Sequence, residues 1–219
     1  MNHPAPPPVL GLVGGIAAGK STAARIFGRW GARVVDADRL AHEVLELPEV
    51  RQELQDAFGD DILDENGGVN PDALARAAFR SDERVERMNR IVHPPILERM
   101  ERAVADARER AEVPLIVVDA ALLLEKELDE AYCDAVLFVD APREEREQRV
   151  RESRGWNADE LRRREQRQMD PAEKERRADY TVENDTTLDA LAAGLARVWQ
   201  DLTGGGPPED STMSQQDRG

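Results

Sequence analysis

The sequence predicts an α/β fold, a parallel sheet flanked by helices, and three observations carry that prediction. Short apolar runs recur at Val9–Val13, Arg33–Asp36, Leu115–Val118 and Ala135–Val139, with helical stretches between them; strands alternating with helices make a parallel sheet with right-handed crossovers. The runs ending at Asp119 and Asp140 are apolar on both faces, as central parallel strands are. A glycine-rich turn, Gly14 to Gly19, follows the first run and opens a helix.

In chain order, residues 1–8 read as a loose, proline-rich leader and Val9–Val13 as a buried strand. Lys20–Trp30 is helical, with Ala23, Ala24, Ile26, Phe27 and Trp30 for a buried face and Gly31 where a helix-terminating glycine belongs. Arg33–Asp36 reads as a second strand and Ala37–Leu47 as a helix. Residues 48–110 are almost wholly helical, interrupted at Gly59, at Asn66-Gly67-Gly68 and at Pro94-Pro95. That is too long for a simple crossover, so part of it is expected to form a helical subdomain inserted into the sheet domain. After Pro142 an Arg/Glu-rich helix runs to about Ser153; Gly155 breaks it, and Ala158–Met169 resumes as a charged helix. Tyr180–Val182 reads as a last strand. Leu188–Leu202 is an amphipathic helix with Leu188, Leu191, Leu195, Val198 and Leu202 on one side. Residues 203–219, rich in Gly, Pro, Ser and Gln, are expected to be disordered, as are residues 1–8. The domain is thus expected to span 9–202.

Composition narrows the function. A chain of 219 residues suits one domain, or one domain with an insertion. Thirty basic against 45 acidic residues leave a net charge of −15, which repels phosphate polymers and argues against a nucleic-acid partner. No apolar run approaches the ~18 residues of a membrane span, and the N-terminus lacks the pattern of a signal peptide, so a cytoplasmic protein without a membrane partner is expected. The single cysteine, Cys133, excludes an internal disulfide framework and reads as a small inert hydrophobe. The oligomeric state is left open.

The strongest signal is Gly14-Gly15-Ile16-Ala17-Ala18-Gly19-Lys20-Ser21, which fits G-x-x-x-x-G-K-S/T without a gap, after a strand and before a helix. Glycines let the backbone wrap an anion and aim its N–H groups inward, and the helix start adds its free N–H groups and dipole. Lys20 would set a positive charge on the β- and γ-phosphates of a nucleotide, and Ser21 would give Mg²⁺ an oxygen. Lys20 is one of only three lysines, with Lys126 and Lys174. Carboxylates gather at the carboxyl ends of strands, where ligands bind on such sheets. Asp36 and Asp38 follow the second strand; either can cap the next helix, or can accept a proton from an acceptor hydroxyl. Beside a phosphate loop, at least one of them is read as functional. Asp119 stands where a Walker B carboxylate would, or simply ends a strand.

Read together, these blocks resemble the dephospho-CoA kinase family. The resemblance lies in Gly11 through Thr22, Val35-Asp36-Ala37-Asp38, Met88-Asn89-Arg90-Ile91-Val92-His93-Pro94, Leu122-Leu123-Leu124-Glu125, and Arg164 to Gln168 followed by Ala178-Asp179 and Asn184, in order over about residues 9–200. It implies a P-loop NTPase-type core, a helical substrate-binding subdomain (48–110) and a lid (143–169). It implies ATP and Mg²⁺ as cofactors, dephospho-CoA as partner, and phosphorylation of its ribose 3′-hydroxyl. On that basis Lys20, Asp38, Asp36, Arg154 and Arg164 are candidate catalytic residues, with Asp38 favoured as the base. Gly15, Ile16, Ala17, Ala18, Gly19, Lys20, Ser21, Thr22 and Arg149 would hold ATP. Asn89, His93, Leu123 and Glu125 would contact the acceptor substrate, and Ser21 the metal. The chain departs from the family at Ala17-Ala18, where Gly-Ser is usual, at Ala121, where proline is frequent, and at Ser153, where an arginine is usual and Arg154 follows instead. Two other readings share part of this evidence: another small P-loop phosphotransferase, such as a nucleoside monophosphate kinase, and a nucleotide-dependent switch.

Overall fold

Val9–Gly14 is buried at every position because it forms the middle of a five-stranded sheet. A computed structural model describes residues 5–110, 112–121, 123–125 and 127–208. Its elements are β1 (Val9–Gly14), α1 (Lys20–Arg29), β2 (Arg33–Asp36), α2 (Ala37–Leu45), α3 (Pro48–Phe58), α4 (Pro71–Ala78), α5 (Asp82–Arg110), β3 (Ile116–Asp119), α6 (Leu128–Tyr132), β4 (Ala135–Asp140), α7 (Arg143–Arg154), α8 (Ala158–Glu165), α9 (Pro171–Arg177), β5 (Tyr180–Glu183) and α10 (Leu188–Thr203). The chain forms two compact units: Asp36–Ala103, and the residues before and after it, through Val35 and from Val104.

The larger unit holds the sheet, in the order β2-β3-β1-β4-β5. β1 pairs in parallel with β3 and with β4, and β4 with β5. This is the α/β architecture expected from the alternating pattern. Leu10, Leu12, Val117, Leu137 and Val139 from the strands, with Leu115 just before β3, meet Ala23, Ile26 and Phe27 of α1 and Leu191, Leu195 and Val198 of α10. Trp30 is 6% exposed and belongs to this core: its ring meets Phe27 edge-on at 5.7 Å and Trp199 at 5.8 Å. Cys133 packs near β1, and its thiol is pushed up to about 12, first by burial and then by the Asp129 and Asp134 carboxylates. Such a thiol stays protonated and inert.

The smaller unit has its own apolar cluster of Val44, Val50, Leu54, Ile62, Leu74, Ala77 and Val92. Asp64 Oδ1 accepts the N–H groups of Asn66 and Gly68, closing the turn that joins Leu63 to Val69 in a single antiparallel bridge.

Four boundaries differ from the sequence reading. Pro94 and Pro95 do not interrupt α5. Each removes an N–H donor, but Met88, Ile91, Val92 and Ile96 pack into the unit's core on both sides of the gap and hold the helix. α2 stops at Leu45 because Leu47 precedes Pro48 and takes extended backbone. The charged helix that starts at Ala158 ends at Glu165, not Met169, and a further helix begins at Pro171, with Asp170 accepting Ala172 N–H as its cap. The leader is ordered where it is described: Pro7 is buried and Pro8 O accepts the N–H of Ile116. Residues 1–4 of that leader, and 209–219 of the expected tail, lie outside the described residues. No described helix is long and apolar enough to cross a membrane.

Candidate active site

The turn after β1 wraps as its sequence requires. Gly19, at φ 102, starts α1 without any side-chain cap, so the first N–H groups of the helix are left for a ligand. Ala17 sits at φ 60, in the left-handed region. That conformation costs a non-glycine residue about 1–2 kcal/mol. Lys20 folds back over the loop, its Nζ 3.4 Å from Gly14 O and 3.3 Å from Gly15 O. Ser21 Oγ, in the first turn of α1, lies 3.2 Å from Asp119 Oδ2 at the end of β3. Thr22 follows on the same turn, partly buried.

Carbonyls of the loop are held by side chains of α7 and by Asn184. Arg146 on α7 donates from Nε to Ala141 O at 3.2 Å and from Nη1 to Ile16 O at 3.4 Å, and it is ion-paired with Glu165. Arg149 donates to Ala17 O at 3.3 Å and Ala18 O at 3.5 Å, and to Asn184 O at 2.9 Å. Asn184 Nδ2 donates to Ala18 O at 2.7 Å. Three consecutive peptide carbonyls, Ile16, Ala17 and Ala18, are thereby held by side chains. The Ala18 N–H donates back to Gly15 O at 3.2 Å, and two guanidinium charges lie against the loop, an arrangement suited to a polyphosphate. Arg146 was not singled out by the sequence; its spacing of three from Arg149, on one face of a helix, is the signal that marks it.

Ser21 and Asp119 offer hard oxygen donors of the kind Mg²⁺ takes. Among the described residues no three His, Cys, Asp or Glu side chains gather around one point. A magnesium ion here would therefore draw most of its ligands from phosphate and water, as it does in phosphoryl-transfer sites.

Arg154 and Arg164 lie over one indole, with guanidinium carbons 4.8 Å and 4.0 Å from the centroid of the Trp156 ring. Arg164 also donates to Glu160. Ser153 donates its hydroxyl to Arg149 O.

Leu123 and Glu125 serve packing in this structure. Leu123 is fully buried, its Cδ2 against β1 at Gly11. Glu125 is ion-paired at 2.8 Å with Lys174, which is itself 2% exposed, and accepts the N–H of Met169. Burial alone would push the Glu125 carboxyl up; the hydrogen bonds from Lys174 and Met169 and the lysine charge outweigh it and hold the group below its usual range. Leu122 of the same block lies outside the described residues.

The smaller unit carries the remaining candidates. Asp36 caps α2, its Oδ1 accepting Asp38 N–H at 2.9 Å and Arg39 N–H at 3.0 Å. Asp38 is in the first turn of α2 and exposed. Its carbonyl pairs with His42 Nδ1 at 2.8 Å. His42 and Glu46 also line a cavity of about 290 Å³ with Arg51, Asp64 and Val69. Asn89 and His93 are one turn apart on α5, both partly buried.

The dephospho-CoA kinase family model matches residues 8–190 of this chain. The chain belongs to the dephospho-CoA kinase family. A dephospho-CoA kinase of Corynebacterium diphtheriae is 37% identical over 193 residues, 88% of this chain and 96% of the relative. One from Thermus thermophilus is 36% identical over 206 residues, 94% of this chain and 97% of the relative. A crystal structure from Thermus thermophilus superposes with a TM-score of 0.76 at 34% identity, covering 90% of this chain and 99% of that one. The dephospho-CoA kinase of Campylobacter jejuni, at 22% identity, has the same fold, with a TM-score of 0.63, a cover of 90% of this chain and 98% of that one. Membership of the dephospho-CoA kinase family makes this chain a P-loop kinase by fold and by class.

Proposed function

We propose that this protein transfers the γ-phosphoryl group of ATP to the ribose 3′-hydroxyl of dephospho-CoA, giving coenzyme A and ADP, the last step of coenzyme A synthesis. The observation that carries this reading is the phosphate loop with its Ser21–Asp119 pair, in a chain of this family.

Phosphoryl transfer asks the protein mainly to position groups and neutralise charge. The amides of the loop and of the uncapped start of α1 bind the β- and γ-phosphates, and Lys20 exchanges the carbonyls of Gly14 and Gly15 for phosphate oxygens. Ser21 and Asp119 would hold Mg²⁺, which when bound neutralises charge on the phosphates. Arg154 and Arg164, from the 143–169 lid, close over the nucleotide and exclude water, while Arg149 braces the loop that holds ATP through its carbonyls; the planar guanidinium fork can pair two phosphate oxygens. Asp38 takes the proton of the acceptor hydroxyl. It suits the task better than Asp36, whose Oδ1 is committed to capping α2. Asn89 and His93, on the helical subdomain, bind the acceptor, and the cavity beside His42 in the same unit offers room for part of it. Leu123 and Glu125 support the acceptor side through packing and the pair with Lys174. The reading places the enzyme in the cytoplasm, where ATP is made.

The test is an acceptor panel. ADP release is followed with ATP, Mg²⁺ and dephospho-CoA, AMP, CMP or dTMP. Dephospho-CoA should give the highest kcat/KM by at least about 10²-fold, the discrimination that hydrogen-bonded recognition sustains. A preference for a nucleoside monophosphate would assign the protein to the neighbouring class of kinases.

A further inference from the structure

We infer that Trp156 is a positioning residue that holds Arg154 and Arg164 together as one phosphate-facing pair; this rests on the reading that those two arginines serve the nucleotide. Trp156 is placed by backbone alone. Gly155, at φ 66, ends α7, and the N–H of Trp156 reaches back to Val150 O at 3.2 Å. One residue later Asn157 caps α8 by accepting Glu160 N–H. The indole is therefore pinned between the end of one helix and the start of the next. Arg154 comes to it from the last turn of α7 and Arg164 from the last turn of α8.

The chemistry favours a platform. A cation over an indole engages the ring with its face. The N–H donors of a guanidinium lie in its own plane, so its fork stays free for a phosphate while it stacks. Arg154 illustrates this: it stacks on Trp156 and makes no hydrogen bond or ion pair with any described residue. An unstacked arginine at an exposed helix end would lose rotamer freedom on binding an anion. Stacking removes much of that loss beforehand and sets two positive charges side by side. The other tryptophans near the sheet, Trp30 and Trp199, are buried in the core and cannot serve this end.

The experiment measures equilibrium binding of ATP with Mg²⁺ in the absence of any acceptor, so that its outcome is independent of which acceptor the enzyme uses. W156A should bind ATP about 3- to 30-fold more weakly, the range of two partly exposed cation–π contacts, while W156F stays within about 2-fold of wild type. Replacing Arg154 by alanine should weaken binding clearly in wild type and little in W156A, because the arginine is already unplaced. The emission of wild type minus that of W156F should change on saturation with ATP. Should W156A fail to fold, W156L, which keeps apolar bulk without a π face, takes its place in each comparison. Unchanged or tighter ATP binding in W156A, additive losses in the double variant, or a difference spectrum blind to ATP would each overturn the inference. Failure of the acceptor panel with these binding results intact would overturn only the choice of substrate.

Discussion

Ser21 Oγ and Asp119 Oδ2 lie 3.2 Å apart, joining the start of the first helix to the end of its neighbouring strand. The pair gives a phosphate loop a hydroxyl and a carboxylate on one side, which is what a magnesium-nucleotide needs. Ser21→Ala and Asp119→Asn should each lower kcat by about 10- to 10³-fold, the scale of removing one contact to developing charge. Raising Mg²⁺ should recover part of the loss. Rate against Mg²⁺ concentration is the measurement, and variants with wild-type curves would remove the pair from the site.

Asp36 caps α2, while the proposed mechanism gives Asp38 the chemical role. Asp36→Ala should destabilise the protein by about 0.5–2 kcal/mol through loss of the α2 cap. Asp38→Asn should leave the melting temperature unchanged and lower kcat by about 10²- to 10⁴-fold, the usual contribution of a general base. Thermal melts beside steady-state kinetics distinguish the two, and near-normal turnover in Asp38→Asn would strip Asp38 of its role.

Gly19 and Asn184 are packed so closely that a Cβ on Gly19 would lie 2.1 Å from Asn184 Nδ2. Gly19→Ala therefore meets both a clash and the strain of φ 102. ATP affinity should fall by at least about 10-fold and stability by roughly 1–3 kcal/mol. Adding Asn184→Ala relieves the clash and leaves the strain, so it should restore only part of either loss. Calorimetric titration with ATP checks this.

Lys174 and Glu125 form a buried pair, and removing one partner strands the other. Lys174→Met alone should cost about 3–5 kcal/mol, whereas Lys174→Met with Glu125→Gln should cost much less. The Glu125 carboxyl is held below its usual 4.5. A depressed folded value means the contribution is fully present above 4.5 and fades as pH falls through the folded value. Denaturant melts from pH 6 down to about pH 3 should thus show a steeper loss in wild type than in the double variant.

The sheet and the nucleotide loop were legible because their rules are local. Gly14 to Ser21 is contiguous, and the strands announce themselves by β-branched apolar runs. The end of the charged helix at Glu165 was hidden because helical arginines and glutamates have no period that marks an end; only Pro171 did, six residues further on. Pro94-Pro95 misled for the opposite reason: a strong local signal yielded to apolar packing on both sides of it. Arg146 and the loop carbonyl it holds join residues 130 apart, a relation that no local pattern contains. The fully buried Lys174 was equally invisible, since a lysine reads as surface until its carboxylate partner is in view.

The most direct measurement is to incubate the protein with ATP, Mg²⁺ and dephospho-CoA and to locate the new phosphate by mass spectrometry and phosphorus NMR. The account predicts coenzyme A, bearing one added phosphoryl group on the ribose 3′-oxygen, formed mole for mole with ADP, lost in Lys20→Ala and formed about 10²- to 10⁴-fold more slowly in Asp38→Asn. ADP formed without a phosphorylated acceptor, or a phosphate placed elsewhere, would contradict it.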